Sequence, residues 1–394
     1  METRPAQPLP YGRQHITDED IAAVVATLRS DFLTQGPRVA EFETQFAAHV
    51  GARYAVAVSN GTAALHLCAL ALGVQPGQRV ITSPITFAAS ANCVRYCGGE
   101  VHFADIDPVT GLIDLQEVRK LLTAHPKGYF TGLIPVDFAG LAVDMVAARA
   151  LVDEFGLWLI EDACHAPGGF FVDSQGTKQQ CGSGQLAELA IFSFHPVKHI
   201  ATGEGGMITT NDEQLYQHLR RLRTHGIERE ATNLLRQDEG GWYMEMQELG
   251  YNYRISDILC ALGISQLARA DAGLARRREL AAQYDAAFAA LPGVNVLAPG
   301  RPGHAYHLYV VQVTNRRGLY EFLRTKNILA QVHYVPVHRM PYYEKLGWKF
   351  GDFPHAEAYY TRCLSLPIYP TLTDAEQAYV IDCVREFLAH NPTA

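Results

Sequence analysis

The sequence predicts an α/β protein: a large, mainly parallel sheet covered on both faces, followed by a smaller α+β domain. Three observations carry this expectation. Short apolar or β-branched runs alternate with helix-period segments over the first two-thirds of the chain. Near residue 265 the composition shifts to an Ala-, Arg- and Leu-rich stretch at helical spacing. The 394 residues, 48% hydrophobic and 19% charged, suffice to bury a sizeable core without disulfide or metal staples.

Taken in order, residues 54–58 (YAVAV) read as the first strand, Ser59-Asn60-Gly61-Thr62 as a turn, and residues 63–72 as a largely buried helix. Residues 79–83 form the next strand, followed by a helix over 87–96. Strands at 100–104, 132–136, 157–160 and 189–194 continue the series, with a helix at 143–155 between them. Such alternation implies right-handed βαβ crossovers, and sheets of this kind bind ligands beyond the carboxyl ends of their strands. Residues 266–291 are expected to form one long helix linking a large domain, 1–265 with an N-terminal arm, to a small one, 266–394, that contains a strand at 307–313. The polar stretch 228–248, with Trp242 and Tyr243, suits either a surface loop or a loop that covers a site.

The formal charge of −8, from 33 Lys+Arg and 41 Asp+Glu, argues against nucleic acid or an anionic membrane as the main partner. It leaves a small anionic ligand open. Eight cysteines are too sparse for a disulfide scaffold. The N-terminus lacks an apolar signal core, and no apolar run approaches the roughly 18 residues of a membrane helix. The expectation is a soluble cytoplasmic protein.

Several stock motifs are missing. There is no P-loop, and Gly203-Glu204-Gly205-Gly206 does not match the dinucleotide fingerprint. His195 and His199 are four apart, but Pro196 stands where a zinc protease needs glutamate, so no metal is expected. Three strand ends tell a more connected story. Ser59–Thr62 precedes a helix, whose free N–H groups and dipole suit a phosphate. The strand at 157–160 runs into Glu161-Asp162-Ala163-Cys164-His165, where a carboxylate leaving a buried strand should need a cationic partner. The strand at 189–194 leads into His195-Pro196-Val197-Lys198-His199, in which a desolvated lysine could serve as a nucleophile. Taken singly, each also fits a cap, a salt bridge or a surface lysine. Together they ask for one ligand with a phosphate, a basic ring nitrogen and an aldehyde, which is pyridoxal 5′-phosphate.

From about Tyr11 onward the chain resembles the DegT/DnrJ/EryC1/StrS family of sugar aminotransferases, of the pyridoxal-phosphate-dependent aspartate-aminotransferase fold (fold type I). The resemblance rests on Thr34-Gln35-Gly36-Pro37, SNGTA at 59–63, PITFAAS at 84–90, EDACHA at 161–166, SFHPVKH at 193–199, GEGGM at 203–207 and GYNYR at 250–254, in order and at family spacing. It implies that Lys198 forms the Schiff base and shuttles the proton, that Asp162 pairs with the pyridinium nitrogen, and that His165 lies near the ring hydroxyl. Phe87 would stack on the ring, and Gly61, Thr62 and Ser193 would hold the phosphate. Asn252 would reach the cofactor of a neighbouring subunit, which implies a homodimer with composite active sites. The expected substrate contacts are Tyr11, Thr34, Gln35, Gly36, Pro37, His333, Tyr334 and His338.

Within the family, PYGRQ at 10–14, SFHPVKHIATGEGG at 193–206 and HYVPVH at 333–338 most resemble the branch serving pseudaminic acid biosynthesis. That branch aminates C4 of a UDP-linked 4-keto-6-deoxy-N-acetylhexosamine, with L-glutamate as donor. The family's usual V-H-L-Y-G reads Val136-Asp137-Phe138-Ala139-Gly140 here, so a different side chain occupies position 137. Amination at C3, or of a dTDP-linked sugar, is the alternative. A related dehydratase would carry histidine at the Schiff-base position, where this chain has Lys198. A non-catalytic regulatory role would sit poorly with Lys198, Asp162, His165 and the phosphate cradle all being retained.

Overall fold

Seven short strands, most of them apolar, build the main sheet of the computed structural model, which describes residues 5–173, 175–236 and 238–391. They are β1 (Tyr54–Val58), β2 (Arg79–Thr82), β3 (Glu100–Phe103), β4 (Gly132–Ile134), β5 (Trp158–Asp162), β6 (Leu189–Ser193) and β7 (Gly206–Thr210). Their spatial order is β1-β7-β6-β5-β4-β2-β3. β7 runs antiparallel to both of its neighbours, and the other pairs are parallel. The side-chain period of two divides each strand between two cores. Val56, Val58, Ile191 and Ile208 face one core, while Ala55, Ala57, Phe192 and Met207 face the other.

Helices cover both faces, as a parallel sheet requires. The helix Pro37–Val50 places Phe42 and Phe46 against Phe192 and Phe194, with ring centroids 4.9–5.4 Å apart for three of these pairs. A half-hidden ion pair ties that helix to β1 and to the helix Glu213–Arg223. Arg223 Nη1 lies 2.5 Å from Glu43 Oε1 and 2.7 Å from the Ala57 carbonyl, and the Ala57 N–H donates to the same carboxylate at 2.9 Å.

A further core gathers Leu280, Tyr284 and Phe288 with Tyr309, Val311, Leu364, Val380 and Val384, around a small sheet of Asn295–Val296, Tyr309–Gln312 and Cys363–Leu366. The N-terminal strand Leu9–Pro10 pairs in parallel with Ile328–Leu329, so the arm lies on this C-terminal region. Conversely, Val337, Tyr343, Phe353 and Tyr359 pack into a core of the main sheet.

The single helix expected over 266–291 is two helices, Asp257–Leu267 and Ala270–Phe288, bent by 56°. Gln266 Nε2 donates to the His15 carbonyl and to Asp20, and Arg269 pairs with Asp20. The break follows a tertiary tie to the N-terminal segment, which helical periodicity cannot register. The stretch 228–248 lies in and beyond a short hairpin, Ile227–Glu228 with Glu245–Met246, on which Leu235, Trp242 and Met246 are exposed. No single helix among the described residues is long and apolar enough to cross a membrane.

Candidate active site

Three strand ends meet at the carboxyl edge of the sheet. The helix Gly61–Ala71 begins directly after β1, with Asn60 accepting from the Ala63 N–H at 2.8 Å and its own carbonyl accepting from Ala64. The first-turn N–H groups of Gly61 and Thr62 therefore have no partner within the helix. A Cβ on Gly61 would lie 3.0 Å from Ser193 Cβ and 3.5 Å from Cys164 Sγ, so glycine lets the ends of β1 and β6 converge. Gly206, opposite both Val58 and Ser193 in register, completes this cradle. A Cβ there would meet the Asn60 carbonyl carbon at 2.6 Å and Gly61 N at 2.9 Å, both backbone atoms.

β5 extends through Glu161 to Asp162, both buried. Among the described residues, neutral donors hold the Asp162 carboxylate in place. Ser90 Oγ donates to Oδ2 at 2.7 Å and the Cys164 N–H to Oδ1 at 3.2 Å. Ser90 is a site residue that sequence reasoning left without a role, although it stands in the quoted PITFAAS segment four residues after Thr86, whose hydroxyl it meets at 2.8 Å. The alternation of the strand turns Glu161 away from Asp162, toward Asp137 and Cys181, whose ligand-type atoms all lie within 4.8 Å of one another. Burial pushes the Asp137 carboxyl up to about 7, and burial together with Asp137 raises Glu161 well above the usual carboxylate range.

His165 is buried and accepts from the Ala139 N–H at Nδ1, 3.3 Å. Its proton therefore belongs on Nε2, 3.2 Å from the Tyr334 hydroxyl. Burial, reinforced by Lys198, His333 and His199, pushes the imidazolium well down, so the ring is neutral. Lys198 Nζ lies 3.5 Å from His307 Nε2, a histidine that sequence reasoning took only as the start of a strand. Burial lowers the Lys198 amine from its ordinary value, against the opposing pull of Cys164 and Asp162. His307 and His165 have ring centroids 4.3 Å apart, and burial pushes His307 well down too. Lys198 thus sits among uncharged imidazoles.

The remaining expected contacts divide. Tyr11 packs on His333 with centroids 4.7 Å apart, and His333 Nδ1 meets Ser365 Oγ at 2.9 Å. Burial and Lys198 push His333 down to about 3. Phe87, 62% exposed, has its ring centroid 6.3 Å from that of Tyr334. His338 departs from expectation: it is fully buried, with Nε2 2.9 Å from Glu357 Oε1 and its ring against Phe353, so it faces the protein interior rather than a ligand. The segment Thr34-Gln35-Gly36-Pro37 lies at the start of the helix Pro37–Val50, where Asp257 accepts from the N–H groups of Gly36, Arg38 and Val39. Its bonds run to the helix Asp257–Leu267 and not to the lysine cluster. Asn252 is exposed, one residue before Tyr253, whose carbonyl accepts from the Ser59 N–H at 2.8 Å.

A partly buried amine, a carboxylate one strand away, a neutral imidazole and a phosphate-sized cradle at a helix N-terminus fit pyridoxal phosphate. The fold and this donor set define a pyridoxal-phosphate-dependent enzyme of the aspartate-aminotransferase class. The chain belongs to the DegT/DnrJ/EryC1/StrS aminotransferase family, whose model matches residues 14–385, and it is a pyridoxal-phosphate-dependent sugar aminotransferase. It is 41% identical over 391 residues to the spore coat polysaccharide biosynthesis protein SpsC of Bacillus subtilis, covering 96% of this chain and 97% of that one. It is 34% identical over 386 residues to the UDP-4-amino-4,6-dideoxy-N-acetyl-beta-L-altrosamine transaminase of Campylobacter jejuni, covering 96% and 97%. Among solved structures it is similar to Helicobacter pylori PseC, an aminotransferase involved in pseudaminic acid biosynthesis, with a TM-score of 0.87, 29% identity and coverage of 98% and 100%.

Proposed function

We propose that this chain transfers the amino group of L-glutamate to C4 of a UDP-linked 4-keto-6-deoxy-N-acetylhexosamine, the transamination of pseudaminic acid biosynthesis, in the cytoplasm. The observation that carries the chemistry is the Lys198 amine held among neutral histidines. The substrate is supported by the likeness to the Campylobacter transaminase and to PseC.

Bound pyridoxal phosphate supplies an aldehyde for amine exchange and an electron-accepting ring. Asp162, kept in place by Ser90 and the Cys164 N–H, holds a proton at the ring nitrogen. The N–H groups of Gly61 and Thr62, with the Ser193 hydroxyl, would hold the phosphate, and Phe87 would stack on the ring. His165, whose Nε2 lies 3.2 Å from the Tyr334 hydroxyl, would lie near the ring hydroxyl. Lys198, once free, is an uncharged amine in a larger share of molecules than an exposed lysine would be. It can therefore take a proton from the donor's α-carbon and return one to C4 of the sugar. Tyr11, its ring tilted against that of His333, and His333, edge-on beside Tyr334, would contact the sugar. Asn252 and Thr34–Pro37 serve the site of a second subunit, which makes the working unit a homodimer.

Purified protein is expected to show a near-visible absorbance band that glutamate bleaches and that Lys198→Ala lacks, with loss of at least about 10³-fold in turnover. UDP- and dTDP-linked 4-keto-6-deoxy sugars offered with glutamate, and the aminated carbon read by NMR, test the substrate. Amination at C3, or a preference for the dTDP sugar, would overturn the specific assignment.

A further inference from the structure

His307 belongs to no motif that marks the site, yet three separate constraints fix its place. Its neighbour Tyr306 has a φ of +47°, a left-handed conformation that an aromatic residue adopts only where its surroundings impose it. The turn Phe138–Gly140 grips the same segment: the Ala305 N–H donates to the Gly140 carbonyl at 2.7 Å and the Leu308 N–H to the Ala139 carbonyl at 3.2 Å. A Cβ on Gly140 would lie 2.9 Å from Tyr306 N and 3.0 Å from His307 N, so glycine lets the two segments meet. The buried Arg277 supplies the third constraint, its Nη1 donating to the carbonyls of Tyr306 at 3.1 Å and Ile368 at 2.8 Å. The outcome is an imidazole only 3% exposed, with Nε2 3.5 Å from Lys198 Nζ. Its Nδ1 is buried and has no partner among the described residues. A buried N–H without an acceptor is rarer than an idle lone pair, so the ring proton belongs on Nε2, facing the amine.

We propose that His307 is the positioning residue of Lys198: its Nε2–H donates to the lone pair of the freed amine and so holds that nitrogen uncharged and in one place. The inference rests on the proposed use of Lys198 as a base and says which side chain prepares it. An ammonium has no lone pair with which to accept, so a donor here opposes protonation in a way that a merely dry cavity does not. The other groups around the amine divide by sign. Asp162 and Cys164, at the end of β5, favour the ammonium, and burial opposes it. His165, His199 and His333 face Lys198 as imidazoles whose own charging burial disfavours. Arg13, Arg269 and Arg276 border the lysine on another side, and Arg277 lies behind His307. Among the described residues, His307 is the side chain hydrogen-bonded to Nζ.

Three measurements on the full-length chain test this. Nitrogen NMR of the histidine-labelled wild type is expected to show His307 protonated at Nε2 and bare at Nδ1, its signal assigned by loss in His307→Gln. An Nδ1–H tautomer, or an imidazolium at neutral pH, would overturn the proposal. In the chain stripped of pyridoxal phosphate, the pH dependence of Lys198 acetylation, read by mass spectrometry, gives the protonation midpoint of the amine. His307→Leu should raise that midpoint by about half to one unit, because a lost donor favours the ammonium. Drying of the site alone would lower it. His307→Gln, which keeps an N–H donor, should stay close to wild type. An unchanged or lowered midpoint in His307→Leu, or a Gln variant no better than the Leu variant, refutes the role. In the loaded enzyme, bleaching of His307→Leu by glutamate should be about three- to tenfold slower at neutral pH and recover as pH rises. A defect that stays constant across pH marks a merely structural residue and sinks the idea. If His307→Leu shows no cooperative melting, the wild-type tautomer and the Gln variant decide the matter. Full turnover by Lys198→Ala would remove the lysine's role and this inference with it; an inactive Lys198→Ala beside null His307 results removes this inference alone.

Discussion

Asp137 shows how one side chain sets the electrostatics beneath the site. Its Oδ1 accepts from the Val143 N–H at 2.9 Å, and the carboxyl lies buried beside Glu161 and Cys181. Two carboxyls this close and this dry hold a proton between them rather than both ionising. The folded Asp137 carboxyl, at about 7, lies above its unfolded value near 3.9. The native state therefore binds more protons than the unfolded chain between those values, and stability should fall as pH rises from about 4 to about 7. Asp137→Asn replaces the shared proton by a fixed N–H donor. Urea unfolding from pH 4 to 8 should show a flatter profile for this variant and greater stability at pH 8; an unchanged slope would rule the shared proton out. At the same scale, Lys198 and Asp162 were legible because each follows a recognisable strand. Ser90 and His307 were not, because their roles come from partners 72 and 109 residues away.

Elements are held in register by ties that a local pattern cannot reveal. β7 follows a glycine-rich turn and reads locally as part of it, yet it inserts antiparallel between β1 and β6 and brings the two ends together at Gly206. The expected long helix breaks where Gln266 and Arg269 reach Asp20 and His15. The Glu43–Arg223 pair joins two helices to β1 with little access to solvent. Removing one member strands a charge, so Arg223→Met should cost about 3–5 kcal/mol. Glu43→Gln, which keeps an acceptor for the Ala57 N–H, should cost less. Chemical denaturation of both variants checks the order, and a loss below about 1 kcal/mol for Arg223→Met would show that the pair contributes little.

At the scale of the whole molecule, the proposed dimer makes a prediction that a monomer cannot satisfy. If Asn252 serves the neighbouring site, Lys198→Ala and Asn252→Ala are each impaired alone, yet a mixed dimer contains one complete site. Co-refolded equal mixtures should recover about a quarter of wild-type turnover. Activity no higher than the sum of the separate variants would place Asn252 in its own subunit's site. Whole-chain charge is a poor guide at this scale. The value of −8 speaks against a polyanionic surface partner, but a phosphate held as proposed by helix N–H groups and a hydroxyl scarcely registers in a net charge.

By itself the sequence determined the alternation of strands and helices, the enzyme family and the cofactor class. Apolar periodicity and strand-end chemistry are local properties, readable within a dozen residues. Only the tertiary structure decided that Ser90 and the Cys164 N–H hold Asp162, that His307 meets the lysine, and that His338 is buried. Each of these depends on which distant segments exclude water from one another, and burial, not residue type, sets whether a histidine is neutral.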